Sequence, residues 1–575
     1  MSDVVGIVLG HRVASSQTFL VGVGEADSLA VDDLVTVTIP DPNGDVTTYG
    51  IVTEAYAELE GAQLPSDSSL IAEEVMPGQM VRTGEVQVVR VEPERWIAPH
   101  PATAVRLARG KDREQALYED TMSRKLAIGL ASDGLPIHVD LDFLDGKKGG
   151  HVSISGISGV ATKTSTALAL LRLLLVHPGM KRKARVLLFN VKGEDLLYLD
   201  RPNARYRELP GREARDAQWR SLGLAEAGPF PSVAIWAPPD AAGGPRCGRQ
   251  GAGVRAFGWT PWQFATDGLL RFCFTDAGDM RSQLTYLEER VREQIRRRAV
   301  PVIGQPGALG FLERTKPEPT DRPPVAASAL EAGPFADLDG LVRFLIDEIL
   351  DIPDPSKVWT GGAAPGTVQA FVRRLHHAAR SLRGLVRTGV EPIPRGLDAG
   401  QNEVTVIHLT PLAEFGQRFV VGALLADTFA AKESGHREPI EFVVLDELNK
   451  YAPREGDSPI KEILIDIAQR GRSLGVILIG CQQQASLVAP EVTQNAAIRI
   501  AGRLDPAEAE RSEYGWLTPS ARLRARLLRQ GRVLVSQPSV PTALAVELPF
   551  PPWATTADEV DVTSDAKAAI SRFNL

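Results

Sequence analysis

From about residue 148 onward, short runs of apolar residues alternate with longer stretches whose apolar positions recur at helical spacing. This alternation restricts the fold more than any other feature of the chain. The short runs are Val152–Ser155, Val186–Phe189, Ser232–Trp236, Val404–Leu409, Phe442–Leu445, Val476–Ile479, Ile498–Ala501 and Val533–Ser536. Among the helical stretches are Thr164–Val176 and Phe415–Ala431. Strands that are apolar on both faces need helices to cover them, so the pattern predicts a parallel α/β sheet. Residues 201–399 read as an insertion, largely helical, with Leu284, Leu287, Val291 and Ile295 on one face and a second helix over Val368–Arg387. Its connectors are rich in proline and glycine.

The N-terminal part follows a different rule. Val4–Leu9, Thr18–Val23, Leu34–Ile39 and Val86–Val91 are short strand-like runs separated by turn signals such as Asp41-Pro-Asn-Gly44. That spacing predicts a small barrel over residues 1–95. A linker with a helical segment (Ala102–Ile128) is expected over 96–147, then a strand at Pro136–Phe143. The α/β core is expected over 148–200 and 400–545, and an apolar, proline-rich tail over 546–575 that packs on the domain or on a neighbour.

Composition narrows the class. A chain of 575 residues with 43% hydrophobic and 24% charged residues is ordinary globular protein of several domains. No window approaches 18 uncharged apolar residues, and the N-terminus lacks a basic, apolar, cleavable order, so neither a membrane span nor a secretory signal is expected. Three cysteines cannot make a disulfide framework, which predicts a cytoplasmic, reducing location. The charge is uneven. Residues 1–100 hold 4 Lys/Arg against 16 Asp/Glu, a local net of −12 within a total of −8. Such a module repels a phosphate backbone, so nucleic-acid contact is expected elsewhere. A solvated acidic surface fits the count equally well.

The first chemical signal is Gly156-Ile-Ser158-Gly159-Val160-Ala161-Thr162-Lys163-Thr164-Ser165, between a strand and an apolar helix. Such a unit aims backbone N–H groups and a helix N-terminus at phosphates, with Lys163 facing the β/γ-phosphates and Thr164 ligating Mg²⁺. The match to a phosphate loop is imperfect: Ile157 and Thr162 stand where glycines are expected, and the loop reads one residue longer. A strand-to-helix turn with a surface lysine is the plainer alternative. The second signal is Glu441-Phe-Val-Val-Leu445-Asp446-Glu447, a buried strand ending in paired carboxylates. Asp446 there can hold Mg²⁺ through water, and Glu447 can polarise an attacking water. Arg470 and Arg472 precede the strand that ends near Gln482, whose amide can report on a γ-phosphate.

The order of these segments resembles the HerA/FtsK branch of P-loop motor ATPases, and specifically HerA-like proteins. Besides the barrel and the loop, it rests on Asn190-Val-Lys-Gly193-Glu194, Val404–Leu409, Phe419–Leu425, Asp446-Glu447-Leu-Asn-Lys-Tyr-Ala-Pro453, Gly471–Gly475 and Cys481-Gln482. The resemblance implies a RecA-like P-loop NTPase sheet with a helical insertion, preceded by a HerA-type barrel. It further implies a homohexamer that hydrolyses ATP with Mg²⁺ and moves double-stranded DNA. A NurA-like nuclease or other effector would dock on the barrel, in DNA end processing or anti-phage defence. By the same resemblance Gly156, Ser158 to Ser165 and Glu194 line the nucleotide, Thr164 and Asp446 hold the metal, and Lys163, Asp446 and Glu447 are catalytic. Gln482 is the sensor, with Arg472, and after it Arg470, reaching a neighbouring subunit. Asn190 and His408 depart from it, standing where aspartates are usual. Basic stretches at Arg290–Arg298 and Arg373–Arg387 fit either solvated helix faces or the wall of a DNA channel.

Overall fold

The computed structural model describes residues 4–60, 62, 64–157, 162–249, 251, 253–274, 284–313, 322–350, 358–391, 403–435 and 437–561. The chain divides into two compact units, Met1–Phe143 with Gly156–Thr162 and Ile498–Pro549, and Leu144–Ser155 with Lys163–Ala497 and Phe550–Leu575.

In the first unit, β1 (Val4–Val8), β2 (Thr18–Val23), β3 (Leu34–Ile39), β4 (Val46–Glu60), β5 (Gln79–Glu92) and β6 (Ala104–Leu107) close a barrel in the order β1-β2-β5-β4-β3-β6. Alternate residues such as Val21, Val35, Val37, Val86 and Val105 point inward and are fully buried. The sixth strand lies beyond residue 95 because Ala104–Leu107 pairs with both β1 and β3, closing the cylinder and removing its edges. β4 and β5 are far longer than their neighbours. From Ala57↔Arg82 to Glu60↔Gln79 neither strand pairs with a third among the described residues, and this stretch forms an arm with helix α1 (Pro65–Ala72) between its strands in sequence.

The expected helix over Ala102–Ile128 is not formed. Gly110 at φ +52° and Tyr118 at φ +56° interrupt it, leaving β6, a short helix Lys111–Ala116 and β7 (Lys125–Leu130). Short apolar runs do not separate strand from helix by periodicity alone. β7 pairs with β8 (Pro136–Asp140) in an antiparallel hairpin.

The second unit contains β9 (Val152–Ser155), β10 (Ala184–Asn190), β11 (Val233–Ala237), β12 (Val254–Ala256), β13 (Ala299–Val302), β14 (Gln305–Phe311), β15 (Ala332–Phe335), β16 (Val404–His408), β17 (Ile440–Leu445) and β18 (Val476–Gln482). Seven of these form a run of parallel strands in the order β12-β11-β16-β10-β17-β18-β9. The parallel α/β class expected from the alternation, with a small barrel ahead of it, is the observed one. Two of its strands, β11 and β12, come from inside residues 201–399, and β13–β15 add a three-stranded sheet there, so that region is less helical than expected.

Helices α2 (Thr162–Val176), α3 (Leu284–Arg298), α4 (Leu338–Leu350), α5 (Pro365–Leu382) and α6 (Glu414–Ser434) belong to this part of the chain. α6 is buried over Phe419–Leu425, and a Cβ at Gly422 would meet Phe272 at 2.4 Å, so only glycine lets the two segments approach.

Residues 498–545, expected within the core, cluster instead with the first unit, together with residues 546–549 of the expected tail. There β19 (Ile498–Ala501), β20 (Arg532–Gln537) and β21 (Val540–Glu547) extend the β7–β8 hairpin in the antiparallel order β19-β20-β21-β7-β8, with α7 (Pro519–Ala525) before β20. Among the described residues no helix is long and apolar enough to cross a membrane.

The described part of the tail packs on its own chain. Trp553 is buried edge-on against Trp219 and Phe230, with ring centroids 5.5 and 5.3 Å away. Trp219 Nε1 donates to the Phe550 carbonyl at 2.9 Å, and Ala554 N donates to the Arg201 carbonyl at 2.8 Å. Trp553→Ala is therefore expected to cost about 3–5 kcal/mol, read by calorimetry as a lowered transition of the unit that holds it. An unchanged transition would show that the tail adds nothing.

Candidate functional site

Parallel pairing puts all carboxyl ends of a sheet at one edge, where α/β proteins bind ligands. In the second unit, Gln482 pairs with Ser155, Gly480 with Leu445, and Asn190 with His408, so these strand ends share that edge. Asp446 and Glu447 follow Leu445 directly. Their strand is separated from β9 by β18 alone.

Lys163 stands in the first turn of α2 and is buried. Burial pushes its ammonium below the usual lysine range, Lys192 pushes the same way, and the carboxylates of Asp446 and Glu447 oppose. The structure thus brings Lys163 into the field of the acidic pair. Thr164 and Ser165 lie on the same turn, half-buried. Ser158, Gly159, Val160 and Ala161 fall outside the described residues, and of Thr162 only the backbone is described. Gly156 is buried, and the next residue, Ile157, donates its N–H to the Arg503 carbonyl at 2.8 Å.

Lys192, on the segment after β10, carries no signal of its own in the sequence beyond lying in the Asn190–Glu194 run. Its Nζ is 2.6 Å from Glu447 Oε1 and 3.8 Å from Asp446 Oδ2. Lys450 grips the other oxygen of Glu447 from one helical turn away. Burial raises the Glu447 pKa, but the two lysines outweigh it and hold the carboxyl below its ordinary range. Glu447 adopts φ +53°, a conformation rare for a side-chain-bearing residue. Its N–H donates to Asp446 Oδ1 at 2.8 Å.

Gln482 is fully buried. Its Nε2 donates to Ser153 Oγ at 2.7 Å and Ser155 Oγ at 2.9 Å, while Oε1 has no hydrogen-bond partner among the described residues. Its amide N–H groups therefore tie β18 to the strand leading into the loop. Glu194 is exposed and accepts the Gly248 N–H at 3.0 Å. Asn190 Nδ2 and His408 Nδ1 are 3.4 Å apart, both residues buried, and burial holds the imidazole below the usual histidine range. Two aspartates at this spacing would repel each other. The Asn–His pair leaves the sheet edge without that charge.

Arg470 and Arg472 are not brought to this edge. Both precede Val476, at the opposite end of a seven-residue strand that spans about 23 Å. Arg470 pairs with Glu433 and Asp466 at 3.2 Å each, in a π-turn over Ile467–Gly471. Arg472 Nη1 donates to the Lys148 carbonyl at 3.2 Å. Neither reaches Lys163 of its own chain.

Gln482→Leu is expected to strand the two serine hydroxyls and cost about 1–3 kcal/mol. Denaturant unfolding followed in the second unit checks this, and no loss would show that the serines find other partners.

No family model and no curated protein matches the sequence. Among solved structures the chain is similar to the plasmid coupling protein TrwB in complex with ADP and Mg²⁺, at 12% identity, covering 78% of this chain and 94% of that one, TM-score 0.47. It is also similar to VirB4 of Thermoanaerobacter pseudethanolicus, at 15% identity over 75% of this chain and 98% of that one, TM-score 0.43. Likeness at this level carries nothing about activity.

Proposed function

We propose that this chain is an ATP-hydrolysing motor that moves double-stranded DNA as a homohexamer. The observation that carries the reading is the placement of buried Lys163 at the start of the helix after β9, in the electrostatic field of Asp446 and Glu447, which follow β17 at the carboxyl edge of the same parallel sheet. These residues fit MgATP. A desolvated cation at a helix start suits phosphate, and the two carboxylates suit a hydrated divalent ion. Among the described residues no three His, Cys, Asp or Glu gather as a metal cluster, so Mg²⁺ would be shared by Thr164, Asp446 and phosphate oxygens. When bound, ATP supplies the phosphoanhydride and Mg²⁺ offsets its charge.

The chain's own residues divide the work. Lys163 binds phosphate, and Asp446 orients the metal's water. Glu447 takes up a proton from the attacking water once Lys192 and Lys450 no longer hold both its oxygens. Gln482 joins the state of β18 to that of the loop strand. Arg472 lies too far from the site of its own chain, which supports a role at a neighbouring copy's site, with Arg470 second because two carboxylates already engage it.

A second reading is a nucleotide-binding ring that organises an effector with slow turnover. The double grip on Glu447 favours it. ATPase activity stimulated by duplex DNA separates the two readings. The barrel's negative charge fits a protein partner with a basic face, such as a NurA-like nuclease or another effector, rather than DNA.

Of the two basic stretches, Arg290–Arg298 is largely spent internally. Arg292 pairs with Glu288, Arg296 and Arg297 with Glu293, and buried Arg298 with Glu331 and Glu348. On α5, Arg373 and Arg380 are exposed on one face with His376 and His377, which makes that face the better DNA contact.

Lys163→Ala is expected to abolish ATP binding in a titration, whereas Glu447→Gln keeps binding and loses turnover by about 10²-fold or more. Normal hydrolysis by Glu447→Gln would make the acidic pair structural. Arg373→Glu with Arg380→Glu is expected to weaken duplex binding and lower the slope of log affinity against log salt by about 2. An unchanged slope would place the DNA elsewhere.

A further inference from the structure

Among the described residues the outer part of the β4–β5 arm pairs with no third strand, and Gln79 and Arg82 anchor its base to Gly24 and Glu25. Its outer half is a two-stranded ribbon, a structure marginal on its own in water. Helix α1, which joins its strands, has eight residues and buries none of them. Leu64, Leu70, Val75 and Met80 remain 64, 38, 69 and 62% exposed. Residues 58–80 also carry Glu58, Glu60, Asp67, Glu73 and Glu74 without any Lys or Arg, a net of −5. Exposed apolar side chains interspersed in sequence with acids suit a surface that a partner covers.

The same unit holds a surface of the opposite kind. Residues 519–532 carry Arg522, Arg524, Arg526, Arg529 and Arg532 and no acid. Internal pairing takes part of that charge: Arg522 and Arg526 share Glu510, Arg524 meets Asp32 and Arg532 meets Glu547. Three carboxylates against five arginines leave the segment net positive by two. Here lies an open groove of about 400 Å³ lined by Arg524, Leu527, Leu528, Arg529, Arg532 and Val546. Leu527 is 76% exposed, and Leu523, four residues earlier, is 56% exposed.

We propose that the arm of one copy docks on the α7–β20 groove of the next copy, its apolar side chains covering Leu523 and Leu527 while Glu73 and Glu74 face Arg529 and Arg532. Each copy offers one arm and one groove, and the two surfaces are different. The contact is therefore head-to-tail, the type that closes into rings or runs into filaments. The proposal rests on the assembly part of the reading above and not on ATP hydrolysis.

The test uses the full chain and reads mass by light scattering. Glu73→Arg with Glu74→Arg, and separately Arg529→Glu with Arg532→Glu, are each expected to shift the assembly at least tenfold in concentration toward smaller species. Combining all four is expected to restore it, which misfolding would not. In a Cys247→Ser background, Val75→Cys with Leu527→Cys should yield an intermolecular cross-linked ladder that neither cysteine gives alone. If the wild-type chain assembles, but the swaps leave its mass unchanged and no ladder forms, the docking is overturned while the ring reading stands. A wild-type chain that stays monomeric at all concentrations overturns both. ATPase assays on the same samples report separately on the nucleotide site.

Discussion

The candidate site depends on the hydrogen-bond ladder that seats β18 between β17 and β9. That ladder is parallel, so it delivers Leu445, Gln482 and Ser155 to one edge together. It also needs a close approach. A Cβ at Gly480 would meet Leu448 at 2.5 Å, so a glycine in the middle of a buried strand lets the segment after the acidic pair fold down over β18. With a larger side chain there, the Leu448 side chain would have to shift. Gln482 then locks β18 to β9 through two serine hydroxyls, and the strand that enters the loop is fixed by the strand beside it.

Charge at that edge is tuned by substitution as well as by placement. Lys163, Lys192 and Lys450 face two carboxylates, and the buried Asn190–His408 pair adds none. The balance favours a polyanion. It also leaves Glu447 engaged twice, by Lys192 and Lys450. On the ATPase reading proposed above, such a site would bind phosphate more readily than it turns over, and release of Glu447 would set the rate.

Much of the fold was legible because its signals are local. The alternation of buried strands and helices from β9 onward, the barrel strands Thr18–Val23 and Leu34–Ile39, and the paired acids at a strand end each follow from residues close in sequence. Ala102–Ile128 was misread because its apolar spacing suits both a helix and two strands, and positive-φ residues at Gly110 and Tyr118 decided it. Residues 498–545 were expected in the core because runs such as Val533–Ser536 look like parallel strands. Pairing direction is a property of the partner, and β20 found β19 and β21. Lys192 was missed for the same reason: an exposed-looking lysine becomes a ligand of Glu447 only after β10 and β17 pair.

By itself the sequence determined the class of sheet, the presence of a barrel, and the residue types at the strand ends, because periodicity and turn chemistry act over a few residues. Tertiary structure alone decided which of those residues meet. It gathered Lys163, Lys192, Asp446, Glu447 and Gln482 at one edge, and it sent Arg470 and Arg472 to the other end of β18. It also spent most of the Arg290–Arg298 charge on internal carboxylates. The physical reason is the geometry of a parallel ladder: it separates the two ends of a strand by its full length, whatever the residues there, while neighbours distant in sequence come within hydrogen-bond reach.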